Sequence, residues 1–244
     1  MKKNGFTLAE VLITLGIIGV VAALVMPGLI ANYKKKEYVV RLKKFYSTLQ
    51  QGISLYTAKE GVSDFDSTEL VAMMRSPGTL DKARLDEIMG IIFNKVVSCN
   101  KQSDKKCGGI KYKGLSGADY TGWGGAIDAS YTYVLPDSMI ISMASLPQVW
   151  LDGGACAANV PVTDRNGRCI RVWVDINGRS GPNISGRDMF AFGIRADGRV
   201  VPADFPTNVD LTQNTSGCSA DASVAYDNDA CSLKIIQDNW EMNY

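Results

Sequence analysis

The sequence contains no histidine, and this absence excludes whole classes of site. Ser-His-Asp triads, Cys-His dyads, HExxH metalloprotease motifs and histidine-ligated zinc sites all require the imidazole ring. A Cys-x-x-Cys pair, a Walker A motif and a Gly-x-Ser-x-Gly nucleophile motif are also missing. These particular catalytic motifs are therefore absent from this sequence.

An excess of charge of either sign is missing too. The 244 residues include 26 Lys and Arg and 25 Asp and Glu, for a formal net charge of +1. A balance this close to zero gives no overall basic surface for nucleic acid. Hydrophobic residues make up 46% of the chain, enough for a buried core in one or two domains.

The cysteines, by contrast, form a pattern, since all six lie after residue 98. An even number without histidine partners favours disulfides over zinc. Six cysteines allow 15 full pairings, and pairing nearest neighbours predicts Cys99–Cys107, Cys156–Cys169 and Cys218–Cys231. The alternative is a cytosolic protein with six buried free thiols. Disulfides would place this part of the chain in an oxidising compartment.

The N-terminal region contains a long apolar run. Residues 11–33 carry no charge, and a short basic segment, MKKNG, precedes them. As a helix, 23 residues span about 35 Å, which exceeds the roughly 30 Å of a hydrocarbon core. A signal peptide cleaved near Val21-Ala22-Ala23 is the alternative, but the apolar run continues beyond that point. The run is predicted to be a membrane segment.

A carboxylate, Glu10, stands at the start of this run. A lone carboxylate at membrane depth costs on the order of 2.5–3.5 kcal/mol, so it needs water or a partner. One interpretation places Glu10 at the interface, where it reaches the headgroups. The other pairs it with a new α-amino group on Phe6 of a neighbouring copy, which a cut after Gly5 would create.

The segment Gly5-Phe6-Thr7-Leu8-Ala9-Glu10 and the apolar run behind it resemble the prepilin peptidase signature of type IV pilins and type II secretion pseudopilins. The resemblance implies cleavage between Gly5 and Phe6 by a prepilin peptidase and N-methylation of Phe6. It also implies assembly through the N-terminal helix, with an inter-subunit role for Glu10. The partners implied are copies of the chain, other pilins or pseudopilins, the inner-membrane assembly platform and membrane lipid.

The function implied is that of a structural subunit, not an enzyme, in a type IV pilus or a secretion pseudopilus. The expected location is the cytoplasmic membrane, crossed once with the N-terminus inside and the head outside, and later the filament in the periplasm or at the cell surface. The alternatives are a membrane-anchored or secreted adhesin or enzyme with its activity in the head, and a DNA-uptake pilin. Nucleic acid is not favoured as a partner, because the near-zero net charge gives no overall basic surface.

The membrane segment is predicted to continue as an amphipathic helix, with a kink at Pro27. Apolar residues recur every three or four positions from Tyr38 to Tyr56. The predicted division is a leader at 1–5, an assembly helix at 6–31, its amphipathic continuation at 32–60 and a head at 61–244. Residues 31–60 hold seven basic and two acidic side chains, which suit a solvated face or acidic lipid.

The head is predicted to be α+β, with the long helix packed on an antiparallel sheet. Turn residues such as Asn177-Gly178 and Asp197-Gly198 separate the apolar runs that predict strands. Further helices are predicted at 67–74 and 80–97, and strands at 130–135, 139–144, 170–174, 189–194 and 199–201.

The loop from residue 175 to residue 188 is rich in glycine and in oxygen-bearing side chains. Calcium binds six to eight oxygen ligands on such loops, and Asp175, Asn177, Asn183 and Asp188 are the candidates. The loop is not an EF-hand, and the alternative is a series of Asx turns between two strands. No other cofactor is expected.

Overall fold

Helix α1 spans Leu8–Glu60 and continues through Pro27. The computed structural model describes residues 5, 7–75, 81–99, 107, 110–120, 131–145, 168–202, 217–221 and 230–244. The chain divides into two units, Met1–Glu37 and Tyr38–Tyr244, and α1 contributes to both. The predicted kink at Pro27 stays a prediction.

Within the first unit, residues 11–33 of α1 carry no charge on any side of the helix. Its most apolar 18-residue window has a mean hydropathy of 2.5, and none of that window is buried. Leu24 and Leu29, for example, are 77% and 65% exposed. By length and composition, this is a helix able to cross a membrane.

The part of α1 in the second unit buries one face in the core. The residues buried there recur every three or four positions and are Tyr38, Val39, Leu42, Phe45, Leu49, Ile53 and Tyr56. The Phe45 ring lies 5.9 Å from that of Phe192 and 6.1 Å from that of Phe93. The helix ends where Gly61 adopts a φ of +70°, and the amide of Gly61 donates to the carbonyl of Ala58.

Three short helices and a single 3-10 turn are described in the head. The turn is Phe65–Ser67, and the helices are α2 (Glu69–Arg75), α3 (Lys82–Phe93) and α4 (Cys231–Gln237). The carboxylate of Asp81 accepts from the amides of Ala83 and Arg84 and so caps α3. Helix α2 confirms the helix predicted at 67–74, whereas α4 was not predicted.

The helix predicted at 80–97 is too long, and its C-terminal end is wrong. Asn94 has a φ of +67°, which ends α3, and Val97 lies in a strand instead. This strand, β1 (Val97–Cys99), pairs with strand β2 (Tyr131–Val134) through Val97 and Val134. The β-branched pair Val96-Val97 favours a strand, a local signal that the helical interpretation overlooked.

The sheet has six antiparallel strands in sequence order, β1 to β6. After β1 come β2 (Tyr131–Val134), β3 (Ile140–Ser145), β4 (Arg168–Asp175), β5 (Met189–Arg195) and β6 (Val200–Pro202). The five predicted strands correspond to β2 through β6. The α+β architecture, with the helix packed against an antiparallel sheet, is therefore confirmed.

The two faces of the sheet have different neighbours. Val172 and Phe192 are opposite each other on the face that belongs to the main core with α1. One residue further along each strand, Trp173 and Ala191 lie on the other face, in a smaller cluster with Tyr112. The alternation follows from the two-residue period of a strand.

Polar side chains of α1 bind the edge strand β6. The amide of Gln50 accepts from the backbone N–H of Val200 at 2.9 Å and donates to the carbonyl of Gly198 at 3.0 Å. The hydroxyl of Tyr46 donates to the carbonyl of Val200 at 3.1 Å. These contacts satisfy backbone groups that a sheet edge would otherwise leave unpaired.

Two disulfides lie among the described residues, and both match predicted pairs. Cys99 at the end of β1 bonds to Cys107, and their Cα atoms lie 6.2 Å apart. Cys218 bonds to Cys231 at the start of α4, with a Cα separation of 4.7 Å. The third predicted pair involves Cys156 and the side chain of Cys169, which lie outside the described residues.

Two helical glycines allow a test of the α1–α3 packing, with effects of opposite sign. A Cβ at Gly52 would lie 2.2 Å from the carbonyl oxygen of Ile92, whereas a Cβ at Gly90 would have no neighbour within 4 Å. We expect Gly52→Ala to lower the free energy of unfolding by about 1–3 kcal/mol through overpacking. Gly90→Ala should raise it by about 0.5–1 kcal/mol through helix propensity. Urea unfolding of the full chain in detergent measures both, and equal shifts would contradict the close approach.

Candidate functional site

Glu10 closes a reciprocal set of hydrogen bonds at the start of α1. Its carboxylate accepts from the backbone N–H of Thr7 at 2.8 Å and from the hydroxyl of Thr7 at 2.7 Å. In return, the backbone N–H of Glu10 donates to the Thr7 hydroxyl at 3.3 Å. This is a capping box, in which two otherwise unpaired donors at the N-terminus of a helix are satisfied together.

The described residues around this capping box lie exposed at the N-terminal end of α1. Gly5, Thr7, Leu8 and Glu10 are all exposed, and Phe6 lies outside the described residues. The cut predicted between Gly5 and Phe6 would leave a new N-terminus one residue before the box.

The comparisons with known proteins concern this same region. Residues 1–26 match the family model described as the prokaryotic N-terminal methylation motif. The chain carries a prepilin-type methylation motif. The motif is consistent with the type IV pilin and pseudopilin family, and the match covers the first 26 of the 244 residues. No curated protein and no solved structure matches the chain.

The prepilin-type motif contains one residue whose role the sequence analysis missed. Thr7 was quoted only as part of the hexapeptide, yet it is the partner of both the carboxylate and the amide of Glu10. The spacing Thr7-x-x-Glu10 is the sequence signature of a capping box and predicts this arrangement. Glu10 thus has a hydrogen-bond partner in its own chain, Thr7. This capping role is a third interpretation of Glu10, beside contact with lipid headgroups and pairing with a neighbouring copy.

A second polar cluster lies on the other face of the sheet, where β4 ends. The Asp188 carboxylate accepts from the backbone N–H groups of Asn183 at 2.8 Å and Ile184 at 2.5 Å. The Asp175 carboxylate accepts from the backbone N–H of Asn177 at 3.2 Å and from the hydroxyl of Tyr112 at 2.7 Å. The Asp175–Asn177 bond has the spacing of an Asx turn, whereas Asp188 accepts from residues four and five positions before it.

The calcium interpretation is not tested by this geometry. Asp175 and Asp188 are 1% and 0% exposed, and their carboxylates already accept hydrogen bonds from within the protein. The side-chain oxygens of Asn177 and Asn183 are buried without a hydrogen-bond partner and would remain for a cation. Over the part of the chain that the structure describes, no group of three or more acidic, Cys or His residues could hold a metal.

Burial shifts the proton equilibria of this cluster. Burial raises the pKa of Asp175 to about 8, although the Tyr112 hydroxyl opposes this and the charge of Asp188 adds to it. Burial also raises the pKa of Asp188, against the hydrogen bonds from Ile184 and Asn183. Burial and the neighbouring Asp175 raise the pKa of Tyr112, so its hydroxyl keeps the proton that it donates.

A serine and a lysine that could suggest catalysis meet near the start of α3. The Lys82 ammonium contacts the Ser98 hydroxyl, the Asp86 carboxylate and the Tyr133 hydroxyl, and it lies 4.5 Å from the centre of the Tyr133 ring. These contacts link α3 to strands β1 and β2 of the sheet.

The Asp175 cluster predicts that stability falls as pH rises. A carboxyl group with a pKa raised from about 4 to about 8 on folding stabilises the fold fully below pH 4 and loses that contribution towards pH 8. We expect the Tm of the full chain in detergent to be higher at pH 5 than at pH 8 by at least about 3 °C. Asp175→Asn should flatten this profile, and Asp119→Asn, at an exposed position, should not. Parallel profiles for all three proteins would contradict the assignment.

The same measurement separates Asx turns from a calcium site. If the loop is held by its own hydrogen bonds, Tm at pH 8 is equal in excess EGTA and in millimolar CaCl2. If the loop binds calcium, CaCl2 raises Tm at pH 8 because the ion binds only the folded chain. Asp175→Asn would then remove that increase.

Proposed function

We propose that the chain is a structural subunit, a pilin or pseudopilin, of a type IV pilus or a type II secretion pseudopilus. A prepilin peptidase removes residues 1–5 and methylates Phe6, and the mature subunit assembles through α1 without catalysis of its own. The observation that carries this proposal is the methylation motif, residues 1–26, at the start of a helix whose apolar window buries nothing. The motif by itself indicates processing only. The exposed apolar helix accounts for polymerisation, because other copies would cover its apolar surface.

The apolar half of α1 needs a covering that its own unit does not provide. An exposed apolar surface of this length is unstable in water, and lipid or the same segment of other copies would cover it. Gly16 and Gly19 are open to close approach, since a Cβ at either position has no neighbour within 4 Å. The membrane would thus hold the subunit before assembly, and other copies would cover the segment afterwards.

The disulfides support a head outside the cytoplasm. Cys99–Cys107 and Cys218–Cys231 both belong to the second unit, and such bonds form in oxidising compartments. A head exported across the membrane leaves the five-residue leader inside, where the resemblance places the prepilin peptidase. The subunit would then cross the cytoplasmic membrane once before it enters a filament.

Glu10 is proposed to guide assembly through its charge. In the single subunit the carboxylate is held by Thr7, but its negative charge stays uncompensated among the described residues at this end of the helix. The α-amino group of a neighbour's processed Phe6 is a cation at the matching depth. Because lipid excludes water there, removing one partner of the pair would leave the other uncompensated at a cost of several kcal/mol.

The test of this proposal separates the charge of Glu10 from its capping role. Glu10→Gln keeps a capping-box residue but removes the charge, whereas Thr7→Ala removes the capping hydroxyl and keeps the charge. We expect Glu10→Gln to be inserted, cut and methylated but absent from filaments, while Thr7→Ala still assembles. Mass spectrometry of membrane-bound and sheared filament fractions measures both steps.

Two outcomes would contradict the proposal in different ways. Normal filaments from Glu10→Gln would mean that Glu10 acts as a cap or an interface residue and that its charge does not guide assembly. An uncut, fully secreted wild-type chain would instead favour an adhesin or enzyme with its activity in the head.

A DNA-uptake role has less support from the basic residues of α1. Arg41 donates to the carbonyl of Ile176, Lys44 pairs with Asp137 at 2.9 Å, and Lys43 lies over the ring of Trp240. These three side chains contact residues of their own head. Fewer basic groups of α1 therefore remain to bind the phosphates of DNA.

A further inference from the structure

The apolar run of α1 ends at an abrupt change in chemistry. Residues 11–33 carry no charge, Tyr33 is 68% exposed, and Lys34, Lys35 and Lys36 follow directly. Helix α1 is continuous across this change. A tyrosine followed by lysines is typical of a helix that leaves the hydrocarbon core and enters the headgroup layer.

The helical geometry favours a partner that surrounds the helix. Successive helical residues are about 100° apart, so three consecutive lysines cover roughly 200° of the circumference. A protein or nucleic acid that docks on one side would be met by residues three or four positions apart. The headgroup layer, in contrast, encloses the whole helix at one depth.

The charge of this segment also fits an anionic layer. Glu37 is the one acidic residue between positions 34 and 40, and it lies 2.9 Å from the Lys34 ammonium. The side chains of Lys34 and Glu37 are 53% and 26% exposed, so this pair stays accessible to solvent and lipid. Residues 34–37 therefore keep a net charge of +2 on a partly exposed helical turn.

We propose that Lys34, Lys35 and Lys36 bind the anionic headgroups of phospholipids in the leaflet that faces away from the cytoplasm. This inference rests on the proposed function, because that function places α1 across the membrane with the head outside. The lysines fix the depth of the apolar run before assembly, and entry into a filament must release them. This also accounts for a basic run on the side where the positive-inside rule does not place one.

The experiment uses the full chain in nanodiscs of phosphatidylcholine with a minor fraction of phosphatidylglycerol. Spin-labelled forms of either lipid report the relative association of each with the helix. We expect wild type to favour phosphatidylglycerol by at least roughly threefold at low salt, since each lysine near an anionic surface contributes measurably. The preference should fall as NaCl is added.

A matched variant removes the same charge elsewhere. Lys34→Gln/Lys35→Gln/Lys36→Gln should reduce the preference towards one, whereas Lys59→Gln/Lys95→Gln/Lys113→Gln, at exposed positions of the second unit, should retain it. Equal association of both lipids with wild type, or equal loss in the two triple variants, would overturn the proposal. Loss of the preference in inorganic phosphate but not in chloride of equal ionic strength would also overturn it, by assigning the lysines to free phosphate.

Failure of this proposal is distinct from failure of the proposed function. A chain that enters nanodiscs but shows no lipid preference refutes the headgroup site alone, because neither cleavage nor assembly is needed for the measurement. A chain that does not enter bilayers at all refutes the membrane placement, and with it both proposals.

Discussion

One helix must satisfy two different surroundings, and the rest of the chain follows from this constraint. Between Tyr38 and Tyr56, α1 buries a single face in its own head, so each of its turns has a buried side and a solvent-exposed side. Between residues 11 and 33 the helix carries no charge, and none of its most apolar window is buried. Lipid or other subunits must therefore complete the structure of that segment.

The second consequence concerns the polar groups at the two ends of the apolar run. Glu10 lies at one end, where a capping box with Thr7 satisfies its hydrogen bonds without neutralising its charge. The lysine run from residue 34 lies at the other end. If α1 crosses the membrane as proposed, charges at both ends oppose its movement along the membrane normal.

The sequence predicts those parts of the fold that depend on neighbours along the chain. The turn at Asp197-Gly198 between β5 and β6 arises from adjacent residues, and the two disulfides join residues 8 and 13 positions apart. The apolar period of α1 from Tyr38 onwards likewise predicts its buried face correctly. Each of these features has a local physical cause, which a single sequence displays.

What the sequence does not display is contact between distant segments. Tyr112 and Asp175 are 63 positions apart, and nothing around Tyr112 indicates that it donates to a buried carboxylate. The contact of Gly52 with Ile92 is equally hidden, because a glycine inside a helix has several possible reasons. At Val97 the predicted helix and the β-branched pair Val96-Val97 favour different structures. Pairing with β2 makes this segment a strand. The capping role of Thr7, in contrast, has a local signal, because the spacing Thr7-x-x-Glu10 predicts a capping box.

The mature N-terminus tests the central claim most directly. The chain should be expressed in a host that supplies a prepilin peptidase, purified from the membrane or filament fraction and analysed by mass spectrometry of its N-terminal peptide. A structural subunit of the proposed kind yields a peptide that begins with Phe6 and carries one added methyl group. A chain that keeps Met1, or one that begins near Leu24 as a cleaved signal peptide would leave it, contradicts the account.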